Sequence, residues 1–194
     1  MTPNRKPNRL KEFDYTSDNL YYITTNVKDR LKCFGRIQKK IMQLNILGEI
    51  VKAQWLWLEQ QYSYIKLHEF IIMPDHFHGI IEINKSLIDF PNHEVEIADF
   101  ANDPDASVRT GRDLSLQTHP DHNHISESLN NSKIKIKSLS ELIGAFKMTA
   151  SKKIHELGLD FEWQRSFNDE IIMDEEAFLY ISNYIRDNAK NWNK

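Results

Sequence analysis

The stretch Phe70–Glu82, FIIMPDHFHGIIE, admits few folds. An apolar run, Phe70-Ile71-Ile72-Met73, ends at Pro74. Pro74-Asp75 turns the chain, and a second apolar run follows from His76. Two strands joined by a tight turn fit this pattern. Alternate residues of a strand share a face, so His76 and His78 point one way and Phe77 the other. Two imidazoles at that spacing can chelate one divalent cation, and the same spacing suits a half-exposed polar strand face. A metal site would need a third oxygen or nitrogen ligand from elsewhere in the chain.

At 194 residues the chain has room for one domain with a proper core and a long insertion. Cys33 is the sole cysteine, so no intramolecular disulfide can form and a reducing compartment fits. No apolar run approaches the ~18 residues of a membrane-spanning helix. The start, MTPNRKPNRLKEF, lacks the apolar centre of a signal peptide, so the expected location is cytoplasmic with no membrane partner. A net charge of −3 argues against a uniform basic coat for nucleic acid but leaves a local basic groove open.

Residues 1–12 read as a basic, proline-bearing arm, either contacting phosphate or simply solvated. YYITTNV, Tyr21 to Val27, is rich in β-branched and aromatic residues and reads as a first strand. The Lys- and Arg-rich segment Lys28 to Lys40 reads as a phosphate-contacting loop or a soluble connection. Ile46 to Gln61 reads as a helix with Ile50, Ala53, Trp57 and Gln61 along one side, Ile46, Leu47, Val51 and Leu58 close by, and Trp55 off that face. Ile65 to Met73 and Phe77 to Asn84 are the second and third strands. Residues 85–137, rich in Asn, Asp, Ser and His, read as a long mobile insertion within a single domain spanning 1–194. Its His119, His122 and His124 read as loop residues rather than a metal site. Ser138 and Glu141 form a capping box before a core stripe from Leu139 to Leu157, and Gly158 stops that helix. Lys147 and Lys152 lie off the stripe and, with Arg165 of Trp163-Gln164-Arg165, are candidate DNA contacts. A short strand near Glu170–Met173 precedes Asp174, an expected N-cap for a last helix on which Phe178, Ile181, Ile185 and Trp192 share a core face. Tyr180, Tyr184 and Asn188 run down its flank at i, i+4 and i+8.

A cation on two strand histidines beside a tyrosine on a packed helix suits phosphoryl transfer through a covalent phosphotyrosine. Asn188, one turn after Tyr184, offers an amide oxygen as third ligand. Tyr180 is the rival nucleophile. A histidine-triad hydrolase would need a third alternating histidine where Ile80 stands.

Four stretches, NRLKEFDYTSDNLYYITT, MPDHFHGII, WQRSF followed by DEEAF, and YISNYIRDNAKNW, resemble the REP-associated tyrosine transposases of the HUH (His-hydrophobic-His) superfamily. The resemblance spans nearly all of the chain outside 85–137. It implies an α+β, ferredoxin-like core with an antiparallel central sheet packed by helices. It implies Mg²⁺ or Mn²⁺ on His76 and His78, Asn188 where relatives place a third ligand, and Tyr184 as nucleophile. The implied activity is that of a transposase: cleavage of single-stranded DNA beside a hairpin to leave a 5′-phosphotyrosine and a free 3′-OH, then strand transfer. Relatives include shared-site homodimers and monomers. The chain departs from the pattern at Ala189, where relatives carry proline, at Asn168 and Glu170, where many carry histidine, and at Met173, where arginine is common. The alternative function is a domesticated hairpin-DNA-binding protein with little catalysis.

Overall fold

A computed structural model describes residues 12–88 and 134–192. Most of the basic arm, most of the insertion, and His119, His122 and His124 lie outside the described residues. Six strands and three helices follow in the order β1 (Asn19–Asn26), β2 (Gly35–Gln38), β3 (Ile41–Leu44), α1 (Ile46–Gln61), β4 (Ile65–Met73), β5 (His76–Ile83), α2 (Leu139–His155), β6 (Asn168–Ile172) and α3 (Glu175–Asp187). The main sheet is ordered β4-β5-β1-β6, with each neighbouring pair antiparallel. Without the β2–β3 ribbon the succession is βαββαβ, the ferredoxin-like arrangement that the sequence resemblance implies. Among the described residues no helix is long and apolar enough to cross a membrane.

Local signals set the helices. Asn45 caps α1 by accepting from the Gly48 amide at 3.1 Å. At α2, the Ser138 hydroxyl accepts from the Glu141 amide at 3.4 Å, and the Glu141 carboxylate accepts the Ser138 amide at 2.8 Å. This reciprocal pair satisfies two amides that the first helical turn cannot. Gly158, at φ +72°, closes the C-terminal end in the left-handed region that glycine enters without strain. Asp174 caps α3 through the Ala177 amide at 2.8 Å.

The buried face of α1 differs from the expected one. Gly48, Val51, Trp55 and Leu58 point inward, while Ala53 and Gln61 are exposed. Trp55 is the centre of the core, with its ring 4.7 Å from Phe77, 5.2 Å from Phe146 and 6.4 Å from Phe70. The α3 face also needs correction, because the helix ends at Asp187 and Trp192 lies beyond it. Lys28 to Lys40 is not a plain loop: its second half enters the β2–β3 ribbon. That ribbon turns through Lys39 (φ 52°) and Lys40 (φ 63°), the two-residue geometry that usually selects Asn-Gly.

α1 and α2 pack on one face of the sheet and α3 on the other. The first face holds the main core, with Tyr21, Ile23, Phe77, Ile81 and Ile83 pointing into it. On β4 the register shifts between Leu67 and Phe70, so a bulge brings both onto this face. The second face has a much smaller cluster: Ile80, Ile172, Ile181 and Ile185.

Candidate active site

The site lies on the α3 face, where β5 leaves the Pro74-Asp75 turn. That turn is held from outside the hairpin. The Pro74 carbonyl accepts the amides of Cys33 and Phe34 at 2.9 and 3.1 Å, and the Asp75 carbonyl accepts the Val27 amide at 2.9 Å. These bonds fix the start of β5 and hence the backbone of His76. His76 and His78 are both buried, with ring centroids 4.6 Å apart and planes at 82°.

The Nδ1 atom of each imidazole is engaged. His76 Nδ1 lies 2.5 Å from Asp75 Oδ1, and Asp75 Oδ2 in turn receives the Arg30 guanidinium at 3.2 Å. A carboxylate on Nδ1 holds the proton there and leaves Nε2 as the coordinating nitrogen. His78 Nδ1 lies 2.7 Å from the Tyr22 hydroxyl and 2.8 Å from that of Thr24. With the Nδ1 proton donated to either oxygen, His78 also keeps a lone pair on Nε2. Burial, reinforced by the nearby His76 and Arg30, pushes the His78 pKa down to about 3, so the ring stays in the neutral, ligating form. Burial raises Tyr22 to about 12, which keeps its hydroxyl neutral. The donor set therefore fits a divalent cation on two Nε2 atoms. Among the described residues no cluster of three or more His, Cys, Asp or Glu completes such a site, so a third ligand drawn from them would be an amide, hydroxyl or carbonyl oxygen.

α3 brings Tyr184 to this pair. Its ring centroid is 5.6 Å from that of His78 and 6.5 Å from that of Tyr22, and the residue is 47% exposed. Tyr180, one turn earlier, is 74% exposed and makes no such ring contact. Asn188 follows the last turn of α3, half-buried, and its side-chain amide makes no hydrogen bond among the described residues. The Trp192 ring packs 5.9 Å from His76.

The three candidate DNA contacts lie apart from this cluster, and none lines the cleft beside Tyr184. Lys147 is half-buried, and its ammonium donates to the carbonyls of Gln164 and Ser166 at 2.6 and 3.3 Å, holding the loop before β6 onto α2. Burial lowers its pKa to about 8. Arg165 shares a cavity of about 350 Å³ with Lys147, Ser151 and His155, while Lys152 is exposed in the last turn of α2. Sequence reasoning missed Asp75, Arg30, Tyr22 and Thr24. Asp75 had a signal, since a carboxylate next to a candidate ligand is a natural orienting group. The other three reach the histidines only through β1 and the turn after it. That turn also links the WQRSF motif to the site: Gln164 Oε1 accepts from Asn26 Nδ2 at 2.9 Å, and Asn26 Oδ1 accepts from Arg30.

No family model matches the chain. A protein of Haemophilus influenzae, described only as uncharacterized, is 31% identical over 193 residues, covering 97% of this chain and 89% of its own. Among solved structures, a REP-associated tyrosine transposase bound to a REP hairpin aligns over 97% of this chain and 81% of its own, with a TM-score of 0.50 at 11% identity. A putative transposase from Deinococcus radiodurans aligns over 92% and 97%, with a TM-score of 0.43 at 12% identity.

Proposed function

Because the chain belongs to one family with the Haemophilus influenzae protein and has the fold of a REP-associated tyrosine transposase, we propose that it cuts and rejoins single-stranded DNA beside hairpin stems, using Tyr184 as nucleophile. The observation that carries this reading is the meeting, from distant parts of the chain, of a buried histidine pair and a half-exposed tyrosine whose ring centroid is 5.6 Å from that of His78.

In the proposed reaction the Tyr184 oxygen attacks the scissile phosphorus. The tyrosine–phosphorus bond forms, the bond to the 3′ oxygen breaks, and the phenol gives up its proton while the departing 3′ oxygen gains one. The products are a 5′-phosphotyrosine and a free 3′-OH, and attack by a 3′-OH on the phosphotyrosine reverses the step. His76 and His78 would hold Mg²⁺ or Mn²⁺, with Asn188 as third ligand. A bound cation supplies positive charge against the phosphate oxygens. Asp75 keeps His76 in one tautomer, and the Tyr22 and Thr24 hydroxyls can accept the Nδ1 proton of His78 in the tautomer that leaves Nε2 free. Tyr184 and Asn188, one turn apart, would be presented by one rigid helix.

The test is incubation with hairpin oligonucleotides bearing single-stranded flanks and Mn²⁺, followed by a denaturing gel. A covalent protein–DNA band is expected that vanishes with chelator and in Tyr184→Phe but persists in Tyr180→Phe. Loss of the band in Tyr180→Phe alone would move the nucleophile one turn back. Hairpin binding with no band under any condition would favour a binding protein over an enzyme.

A further inference from the structure

Beside Tyr184 an open cleft of about 320 Å³ is lined by Tyr22, Glu170, Ala177, Tyr180, Ile181 and Tyr184. Its size is at the lower end of the range for small-molecule pockets, about 300–1,000 Å³. Two elements build it. In the sheet, Tyr22 stands between Ile80 on β5 and Glu170 on β6 in the antiparallel register. Over the sheet, α3 contributes Ala177 and Ile181 on its packed side and the tyrosines at its edge. The cleft thus has three aromatic rings, an aliphatic patch and one carboxylate.

Glu170 is exposed, and its carboxylate makes no hydrogen bond or ion pair among the described residues. It is the only formal charge in the lining. An unpaired carboxylate repels phosphate, so this is not where a DNA backbone would lie. It attracts neutral N–H donors, and the surrounding rings favour a flat aromatic partner. A nucleobase has both properties: faces that stack on tyrosine and an edge that hydrogen-bonds.

We propose that this cleft takes one unstacked base of the DNA strand lying against Tyr184, and that Glu170 selects bases carrying an amino group over thymine. The inference rests on the proposed DNA-cleaving function and names a specificity element for it. Guanine is the best match, because its ring N–H and amino group lie side by side and meet both carboxylate oxygens. Cytosine and adenine offer one amino group each. Thymine sets its single ring N–H between two carbonyl oxygens, which face the carboxylate as like partial charges. A well-placed pair of hydrogen bonds to a base discriminates by roughly 10- to 100-fold. Tyr180, exposed one turn from Tyr184, supplies a stacking face that does not depend on base identity.

The test uses hairpin-stem oligonucleotides with fully randomised single-stranded flanks. These are incubated with the full chain and Mn²⁺, and both the bound pool and the covalent pool are sequenced. Thymine should be depleted on the order of 10-fold at one flank position, with guanine most enriched. Glu170→Gln, whose amide can donate to a carbonyl oxygen, should abolish the depletion at that position and leave the others unchanged. Tyr180→Ala should weaken binding about 10-fold for all four bases alike. A pool with no depleted position, or a depletion unchanged in Glu170→Gln, overturns the base selection even if the covalent band forms. Selection without any covalent band leaves the cleft assignment standing and removes the nucleophile. A chain that binds none of the pool removes both.

Discussion

On β5, Phe77, Ile81 and Ile83 face α1 and α2, while His76, His78 and Ile80 face α3. The α1–α2 side is continuous apolar packing in which Trp55, Phe77, Phe146 and Trp163 touch ring to ring. The α3 side has four buried isoleucines and then gives way to imidazoles, hydroxyls and a carboxylate. Burial stabilises roughly in proportion to apolar area, so most of the fold's stability resides on the first side. Asp75, His76, His78, Tyr22 and Thr24 are paired with one another, which keeps burial from penalising them as lone polar groups, while the buried Ser182 hydroxyl on α3 has no partner among the described residues. The contrast separates two tasks that compete elsewhere: one face keeps the strand in place, and the other is free to carry chemistry.

The largest effect should come from the core side. Trp55→Ala should lower the unfolding free energy by about 3–5 kcal/mol in urea titrations. A loss below ~1 kcal/mol would erase the contrast. On the site side, Asp75→Asn should weaken Mn²⁺ binding by about 10-fold or more in calorimetry, because the orienting charge on His76 is gone, while the urea midpoint moves far less than for Trp55→Ala. If stability fell as far as for the tryptophan, the two faces would not be energetically distinct. Tyr22→Phe should destabilise by only about 0.5–1.5 kcal/mol, since Thr24 still meets His78 Nδ1. A last effect is read as a slope with pH and concerns Lys147, whose pKa is about 8 in the fold against 10.5 for an unperturbed lysine. Between those values the unfolded chain holds a proton that the folded chain has released, so stability should rise with pH from about 8 to about 10.5. Urea midpoints measured across that range should show this slope in the native chain and not in Lys147→Met.

Local signals were readable in the sequence. The bounds of α1 and β4, the Ser138–Glu141 capping box, the Asp174 cap and the Gly158 stop each depend on a few adjacent residues, and the structure has them as expected. The β2–β3 ribbon was not readable, because Lys39-Lys40 occupies a turn that normally announces itself as Asn-Gly. The buried face of α1 went wrong because Trp55 and Trp57 are equally apolar. Tertiary packing separates them: Trp55 meets Phe70, Phe77 and Phe146, and at Gly79 a Cβ would come within 2.9 Å of the Trp55 ring and 2.7 Å of the Phe77 ring. Lys147 looked like a free cation because its partners, the carbonyls of Gln164 and Ser166, come close only after α2 meets the following loop. The strand spacing was enough to put His76 and His78 on one face. Tyr184 beside them followed from helix periodicity together with the family resemblance, and neither indicated the Asp75 and Arg30 support.

The alternation along β5 also shapes how such a gene can change. Single substitutions can revise the side chains opposite α3 one at a time while the aromatic packing behind them stays intact. A codon gained or lost anywhere between the Pro74-Asp75 turn and Phe77 would instead exchange the two faces together, sending Phe77 toward α3 and an imidazole into the core. Descendants of this chain should therefore vary their chemistry through point changes in this strand and place insertions outside it.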